Sequence, residues 1–400
     1  MSNALARDAD DVGGGSVDDV DATGLGRRFV NRVSRGIFAS RRWTFLLVVS
    51  AIAIIKTGVW VIPTIPLYAV MASDPFHYHP GLQYLPENWL HTFLGWLTFA
   101  RGWHSFAVLN LLIAIAFLVV MFVLFFRRLS DRSARIATLI FLAMPVSTTA
   151  FYWLGLDSLT VLLLALALLF MRRWWLVLLV GVLLGFQAFE QGLVSAGLLL
   201  GANGLAALMK QRSWRSIISP AALVIGVIAG VGLQTLLFRL WGITIDYSRL
   251  DWFKAAFPEL VKQYLQFPFL IWYSILAVTW IAVVRFAFQG RRAIPLLVAL
   301  GVLAAVTLFD SDHTRAASIF SLLIVAEELL LDEKFLKSVT NPEIVFFAAM
   351  WVIVPFLWVW GVVVQPPMIT FDIEFVLHKL FGWFDVPSGD QLTLWPFIIP

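Results

Sequence analysis

Residues 105–128 read SFAVLNLLIAIAFLVVMFVLFFRR, a nearly unbroken apolar run that ends in two arginines. A helix needs about 20 apolar residues to cross the hydrocarbon core of a bilayer. Lys and Arg concentrate on the cytoplasmic side of membrane proteins, so the basic end also indicates a direction. This stretch alone predicts a membrane-spanning helix whose C-terminal end lies inside the cell.

The 400-residue chain as a whole is also rich in apolar residues and poor in charged ones. Hydrophobic residues make up 60% of it and charged residues only 14%, whereas soluble domains have about 45–50% and about 25%. We therefore expect an all-α polytopic membrane protein. The net charge of +4 does not indicate nucleic acid, because the cations lie in loops that flank apolar segments. The absence of cysteine excludes disulfides and thiolate metal sites.

The chain contains about eleven apolar segments, most of them close to bilayer length. They lie at 43–63, 105–126, 136–153, 158–171, 174–189, 192–209, 217–240, 267–285, 293–309, 316–331 and 344–365. If each segment crosses the membrane and the N-terminus lies inside, the inside regions contain roughly three times as many Lys and Arg residues as the outside regions. An odd number of spans then predicts an outside C-terminus.

Three regions follow from this layout. Residues 1–42 form a cytoplasmic tail that is acidic and disordered at first and then basic and amphipathic, as expected of a segment on an anionic membrane surface. Residues 43–365 form the membrane domain. Its long outside loop, 64–104, contains an aromatic-rich stretch at 86–102 that predicts a helix lying in the interface. Residues 366–400 form an outside C-terminal segment.

Asp74 lies in that long outside loop, about ten residues after the first span. A carboxylate at the outer interface is suited to accept a proton from a hydroxyl group. A simple turn residue before Pro75 is the alternative. His77 and His79 share one face if the segment is extended, so they are weak candidates for holding a divalent metal, Mg²⁺ or Mn²⁺. The sequence requires no cofactor.

Asp157 stands between two apolar segments, in a loop of a few residues. One interpretation is that it caps the helix that follows, where a carboxylate satisfies free N–H groups. The other is that it faces a polar cavity, and a capping Asp can do both. Glu190 and Gln191 interrupt a later apolar hairpin. Ionisable groups at such depth usually face a polar cavity, and a turn at the membrane edge is the alternative.

Asp310, Asp312, His313 and Arg315 form the densest polar group, at an outside helix junction. Arg315 starts the next helix, whose N-terminus also attracts anions. Arginine and protonated histidine bind phosphate through charge-assisted hydrogen bonds. We therefore expect a phosphate site here, unless the group is a solvated loop with internal ion pairs.

The pattern resembles the GT-C fold glycosyltransferases, membrane enzymes that use polyprenyl-phosphate sugars. Three features carry the resemblance. They are Asp74 with the 86–102 stretch in a long first outside loop, a proline followed by an acid and a Leu-rich helix over 145–162, and the Asp310–Arg315 run, which resembles the Asp-x-x-Arg type element of some bacterial members. The departures from the family pattern are a single acid where it often has a pair, and no large soluble C-terminal domain.

The resemblance implies a GT-C-like enzyme of the bacterial inner membrane. It would transfer a sugar from a polyprenyl phosphate to an envelope glycan or lipid-linked saccharide on the outer face. Asp74 would be the base, and Arg315 and His313 would bind the donor phosphate. The residues that would bind the acceptor or support the site are Asp157, Asp310, Asp312, Glu190 and Gln191, with Asp157 and Asp312 holding the acceptor or orienting the cations. The alternatives are a transporter or lipid-linked saccharide flippase, with Lys56 in its path, and a non-catalytic assembly subunit. The sequence does not indicate an oligomeric state.

Overall fold

The computed structural model describes residues 22–59, 64–77, 88–243, 249–266, 268–309, 313–355, 357–360 and 363–365. Within these ranges the chain is almost entirely helical. The α-helices are Ala22–Ala39 (α1), Arg42–Thr57 (α2), Ile65–Ser73 (α3), Trp89–Leu97 (α4), Trp103–Arg128 (α5), Asp131–Leu142 (α6), Val146–Tyr152 (α7), Asp157–Phe170 (α8), Trp174–Gln187 (α9), Phe189–Leu208 (α10), Ile218–Trp241 (α11), Arg249–Gln266 (α12), Pro268–Leu276 (α13), Thr279–Ala287 (α14), Ile294–Val306 (α15), His313–Val325 (α16), Glu333–Ser338 (α17) and Asn341–Ile353 (α18). Shorter elements are the 3₁₀ helices Trp214–Ile217, Gly290–Ala293 and Thr307–Phe309, the π-helical turn Ala326–Leu330, and the strands Trp358–Trp360 (β1) and Val363–Gln365 (β2).

Among the described residues, four helices are long and apolar enough to cross a membrane, and up to seven spans result if each bent helix pair counts as one. The four are Trp103–Arg128, Phe189–Leu208, Trp214–Trp241 and Gly290–Phe309. The bent pairs join α1 to α2, α6 to α7 and α13 to α14, while α8, α9 and α18 are shorter apolar helices. The chain is thus a helical membrane protein, and the number of about eleven crossings stays a prediction.

Helices α8, α10 and α16 run in the same direction. Asp157 at the start of α8 contacts Gln191 and Arg315, which lie in the first turns of α10 and α16. Beyond the other ends of the last two helices, Arg212 forms an ion pair with Glu328. We call the end where these three helices begin the site end, and the opposite end the basic end.

Glycines bring α9 and α11 into unusually close contact. Gly181 and Gly185 on α9 face Gly226 and Gly230 on α11, so each helix carries two glycines four residues apart. A Cβ atom on Gly181 would lie 2.6 Å from the carbonyl oxygen of Leu223. Small residues at this spacing let membrane helices pack backbone against backbone.

The predicted basic amphipathic segment forms α1, which meets α2 at 113°. A buried arginine stabilises this turn between α1 and α2. The guanidinium of Arg135 on α6 donates to the carbonyl oxygens of Ile37 and Ser40, at 2.7 and 2.9 Å, and to Asp131 at 2.7 Å. The fork of donors on one arginine therefore ties the turn between α1 and α2 to the bundle.

The stretch 86–102 contains the helix α4, and the location of this helix in the membrane interface stays a prediction. The C-terminal segment 366–400 and the acidic part of the tail, 1–21, lie outside the described residues.

The prediction of one apolar helix over 344–365 is wrong in its second half. Helix α18 ends at Ile353, and Pro355 explains why, since a proline disfavours helical geometry in the residue before it. The strands Trp358–Trp360 and Val363–Gln365 instead form an antiparallel pair in which Val359 is opposite Val364. Aromatic and β-branched residues favour strands. The strand pair lies against α16, where the N–H of Val359 donates to Thr314 Oγ1 at 2.7 Å.

Candidate functional site

Asp157 is buried at the site end, where its side chain points towards two other helices. It is the first residue of α8, with Leu156 at the cap position, and its carboxylate makes no capping hydrogen bond. The capping alternative is therefore wrong. The carboxylate instead accepts a hydrogen bond from Gln191 Nε2 at 3.4 Å and lies 3.3 Å from Arg315 Nη1. Three segments that are distant in sequence meet at this carboxylate.

Arg315 lies in the first turn of α16 and reaches across to α8. Its guanidinium carbon is 5.7 Å from the centre of the Trp153 ring, in cation–π geometry. Its side chain is 28% exposed, whereas that of Asp157 is only 7% exposed. The carboxylate is thus the buried partner, and the Arg315 side chain stays partly exposed.

The electrostatics of this corner favour an anion. The N-terminal turns of α8, α10 and α16 all meet there, and each helix N-terminus carries a partial positive charge. Arg315 adds a full positive charge. Asp157 is the anion that the protein itself supplies. A phosphate oxygen is the kind of ligand that helix N-termini and an arginine bind together.

Two residues that the sequence did not single out hold the peptide just before Asp157. The carbonyl oxygen of Leu156 accepts a hydrogen bond from Gln187 Nε2 at 2.8 Å and another from His91 Nδ1 at 3.2 Å. His91 is fully buried, and this burial lowers the pKa of His91 to about 4, although the Leu156 carbonyl acts in the opposite direction. The ring is therefore neutral at pH 7 and donates through Nδ1.

A third buried polar residue close to Asp157 is Asn110, which lies within the stretch 105–128. Asn110 is completely buried and accepts a hydrogen bond from Ser158 Oγ at 3.2 Å, next to Asp157. Its signal in the sequence is a single amide within a long apolar run. Gln187 gives the same signal in the segment 174–189. Polar groups inside membrane segments are costly and usually functional or paired.

Asp74 lies on a separate element, immediately after α3. Its carboxylate is 2.8 Å from His77 Nδ1, and the two side chains are 43% and 76% exposed. Helix α4 connects this segment to the Asp157 corner. Trp89 on α4 donates to the carbonyl oxygen of Pro75 at 2.9 Å, and His91 lies two residues further along the same helix.

An aromatic cluster holds the Asp74 segment in place. The ring of Phe76 packs edge-on against Trp96 and Trp241, with ring centroids 5.2 and 5.3 Å apart, and also contacts Trp89 and Phe93. Edge-to-face aromatic pairs fix ring orientation. The Asp74 carboxylate is therefore accessible but mounted on a well-packed turn.

The remaining predicted site residues are Glu190, His79, Asp310, Asp312 and His313. Glu190 is exposed beside Gln191. His79, Asp310 and Asp312 lie outside the described residues, as does the side chain of His313. In the described part of the chain, no group of three or more His, Asp or Glu side chains is arranged to hold a metal ion. A role for His77 in metal binding stays a prediction.

Comparison with known protein families, with curated proteins and with solved structures finds no significant match for this chain.

Proposed function

We propose that the chain is a GT-C-like membrane glycosyltransferase with about eleven crossings in a bacterial inner membrane, its N-terminus cytoplasmic and its C-terminus outside. The donor is a polyprenyl-phosphate sugar. The acceptor is an envelope glycan or a lipid-linked saccharide at the outer face. The observation that carries this proposal is the meeting of Arg315, Asp157 and Gln191 where three helices begin.

In the proposed reaction Asp74 accepts the proton of the acceptor hydroxyl. The acceptor oxygen forms a bond to the anomeric carbon of the sugar, and the bond from that carbon to the phosphate oxygen breaks. The electron pair stays on the phosphate oxygen as polyprenyl phosphate leaves. Arg315 stabilises this developing charge, because a guanidinium and helix N-termini are aimed at it before the reaction begins.

Asp157 has a positioning role in this proposal. Its carboxylate directs Arg315 through the ion pair at 3.3 Å. Gln191 holds the carboxylate from α10, and the bonds from His91 and Gln187 to Leu156 fix the backbone just before it. Catalytic groups act best when such contacts keep them close to their productive geometry.

The flippase alternative needs charged side chains along a path through the membrane, and Lys56 was its main candidate. Lys56 instead donates to the carbonyl oxygens of Trp351 and Val354, the second at 2.5 Å, and is 5% exposed. These bonds tie α2 to the end of α18. A lysine satisfied in this way supports packing and not a translocation path.

The proposal is tested with the full chain in nanodiscs and a polyprenyl phosphate carrying a radiolabelled sugar. Transfer of the label, with release of polyprenyl phosphate, is expected for the wild type and not for Arg315→Ala. Movement of an intact lipid-linked saccharide across a vesicle membrane, without cleavage, would instead support the flippase. If Arg315→Ala and Asp74→Asn both keep the cellular function of the wild type, the two residues are dispensable, which would indicate a non-catalytic assembly subunit.

A further inference from the structure

A polar cavity of about 470 Å³ lies at the basic end, far from the candidate site. Helix α10 separates the two ends, and its 20 residues correspond to about 30 Å. Three loops meet at the cavity: the turn after α10, the 3₁₀ turn before α15, and the segment after α16. The lining side chains that matter here are Gln211, Arg212, Arg291, Arg292, Glu328 and Asp332.

Hydrogen bonding and backbone conformation hold these loops in place. Gln211 Nε2 donates to the carbonyl oxygen of Arg291 at 2.7 Å, which joins the first loop to the second. Lys210 and Gly290, the residues just before Gln211 and Arg291, both adopt left-handed backbone conformations, with φ of 58° and 65°. A left-handed lysine is strained, and such strain is kept only where surrounding contacts demand it.

The three arginines around the cavity differ in how they are paired. Arg212 pairs with Glu328 at 3.0 Å, and Arg292 pairs with Asp332 at 2.7 Å. Glu327, just behind Glu328, lies 3.7 Å from Arg212 and adds a second acid to that pair. Arg291 is exposed on the rim, and no described acidic side chain forms an ion pair with it.

The two paired arginines are held in fixed directions by buried carboxylates. Glu328 is only 5% exposed, and the Asp332 side chain is 8% exposed. Asp332 also caps α17 by accepting from the N–H groups of Lys334 and Phe335. The cavity therefore combines pre-oriented guanidinium groups with one unpaired arginine at its entrance.

We propose that this cavity binds a phosphate group, with Arg291 as its main contact. Arginine recognises phosphate by parallel charge-assisted hydrogen bonds. Basic pockets between membrane helices typically accept the headgroups of anionic lipids. The phosphate belongs either to such a headgroup or to a soluble phosphate compound. This site is independent of the proposed glycosyltransferase function, because it uses different residues at the opposite end of the bundle.

Thermal unfolding of the full chain in detergent tests the proposal, with tryptophan fluorescence as the readout. One arm titrates dioleoyl-phosphatidylglycerol against dioleoyl-phosphatidylcholine. A second arm titrates inorganic phosphate against chloride at equal ionic strength. A ligand that binds only the folded protein raises the unfolding temperature in a saturable way. The variants are Arg291→Ala and Arg291→Lys, with Arg173→Ala as a control for an exposed arginine outside the cavity.

We expect a saturable stabilisation of the wild type by phosphatidylglycerol, by inorganic phosphate or by both. The half-saturating concentration should rise roughly ten- to hundredfold in Arg291→Ala, in line with a lost hydrogen bond between charged groups. Arg291→Lys should fall in between, and Arg173→Ala should match the wild type. A response to the lipid alone identifies a headgroup site, and a response to phosphate identifies a site open to soluble compounds.

Three results would overturn the proposal. The first is no saturable stabilisation by either anion. The second is an unchanged response in Arg291→Ala. The third is an equal loss of response in Arg173→Ala, which would indicate general attraction of anions to the basic end. Exposed Arg291 supports no packing, so all variants should keep the unfolding temperature of the wild type without ligand.

Discussion

The guanidinium of Arg315 lies 3.3 Å from the carboxylate of Asp157, and the two residues open different helices, α16 and α8. In the proposed mechanism, this pair means that Arg315 meets the donor phosphate as an ion-paired and oriented group and not as a bare cation. A phosphate that binds here must share the guanidinium with Asp157. The predictions for the site end follow from this relationship.

Arg315→Ala should lose about 2–4 kcal/mol of transition-state stabilisation, comparable to removing one oxyanion donor. Arg315→Lys keeps the charge but loses the planar fork of donors, so it should retain partial activity. Donor binding and sugar transfer in nanodiscs measure both effects. Arg101→Ala is the matched control, because Arg101 is exposed at the same end. Equal affinity and turnover in all four proteins would remove Arg315 from the mechanism.

Asp157→Asn should separate donor binding from turnover. Without the carboxylate, Arg315 loses the ion pair with Asp157, so the donor should bind more tightly. Turnover should fall roughly tenfold or more, because the guanidinium loses its fixed direction. KM and kcat for the donor, determined separately, report this split. Parallel decreases in affinity and turnover would contradict the positioning role and indicate direct contact with substrate.

The same pair should be energetically coupled. Unfolding of Asp157→Asn, Arg315→Gln and the double variant in a denaturing detergent forms a double-mutant cycle. Contacting residues typically show interaction energies of about 0.5–3 kcal/mol. The low exposure of Asp157 favours the upper part of that range. Additive effects would show that the ion pair does not contribute in the folded protein.

Asp74→Asn should abolish transfer with little loss of stability, because the carboxylate is 43% exposed. Removal of a general base typically lowers the rate by about 10²–10⁴. Glu259→Gln is the control, since Glu259 is an exposed carboxylate on α12 whose partner Lys262 is also exposed. Wild-type turnover by a stably folded Asp74→Asn protein would exclude Asp74 as the base.

The stability of the site end should decrease at acidic pH because of His91. Burial lowers the pKa of His91 to about 4, below its usual 6.5. The unfolded chain therefore binds a proton before the folded protein does, and stability is complete above pH 6.5 and declines as the pH falls towards 4. At pH 5 the decline should reach about 2 kcal/mol.

His91→Gln keeps a donor for the Leu156 carbonyl but does not titrate, so its unfolding temperature should change less between pH 7.5 and 5. His104→Gln is the control, because His104 is exposed. Identical pH profiles for the wild type and His91→Gln would show that His91 does not carry the effect.

Gly185→Ala should destabilise the bundle by about 1–3 kcal/mol, the usual range for overpacking. The new methyl group would meet the backbone of α11, with Gly230 Cα at 2.7 Å, and backbone atoms do not move aside easily. Gly201→Ala on α10 is the control, because nothing lies within 4 Å of its Cβ position. Equal unfolding temperatures for the two variants would contradict the close contact of α9 and α11.

Several features were predictable from the sequence because they depend on local properties. The stretch 105–128 is long and apolar enough to form a membrane helix in any context, and the structure shows it as α5. The basic amphipathic pattern before Trp43 predicted α1 in the same way. Asp74, Asp157 and Arg315 were recognisable as candidate site residues because charged side chains next to apolar segments are unusual.

Tertiary structure decided which of these residues meet. No local pattern indicates that Asp157 faces Arg315, or that His91 and Gln187 both bind the Leu156 carbonyl, because those contacts join helices that are distant in sequence. The close approach of α9 to α11 likewise needs glycines on both helices to coincide. Helix formation depends on neighbours along the chain, whereas the site depends on how whole helices pack, and that packing is a property of the assembled bundle alone.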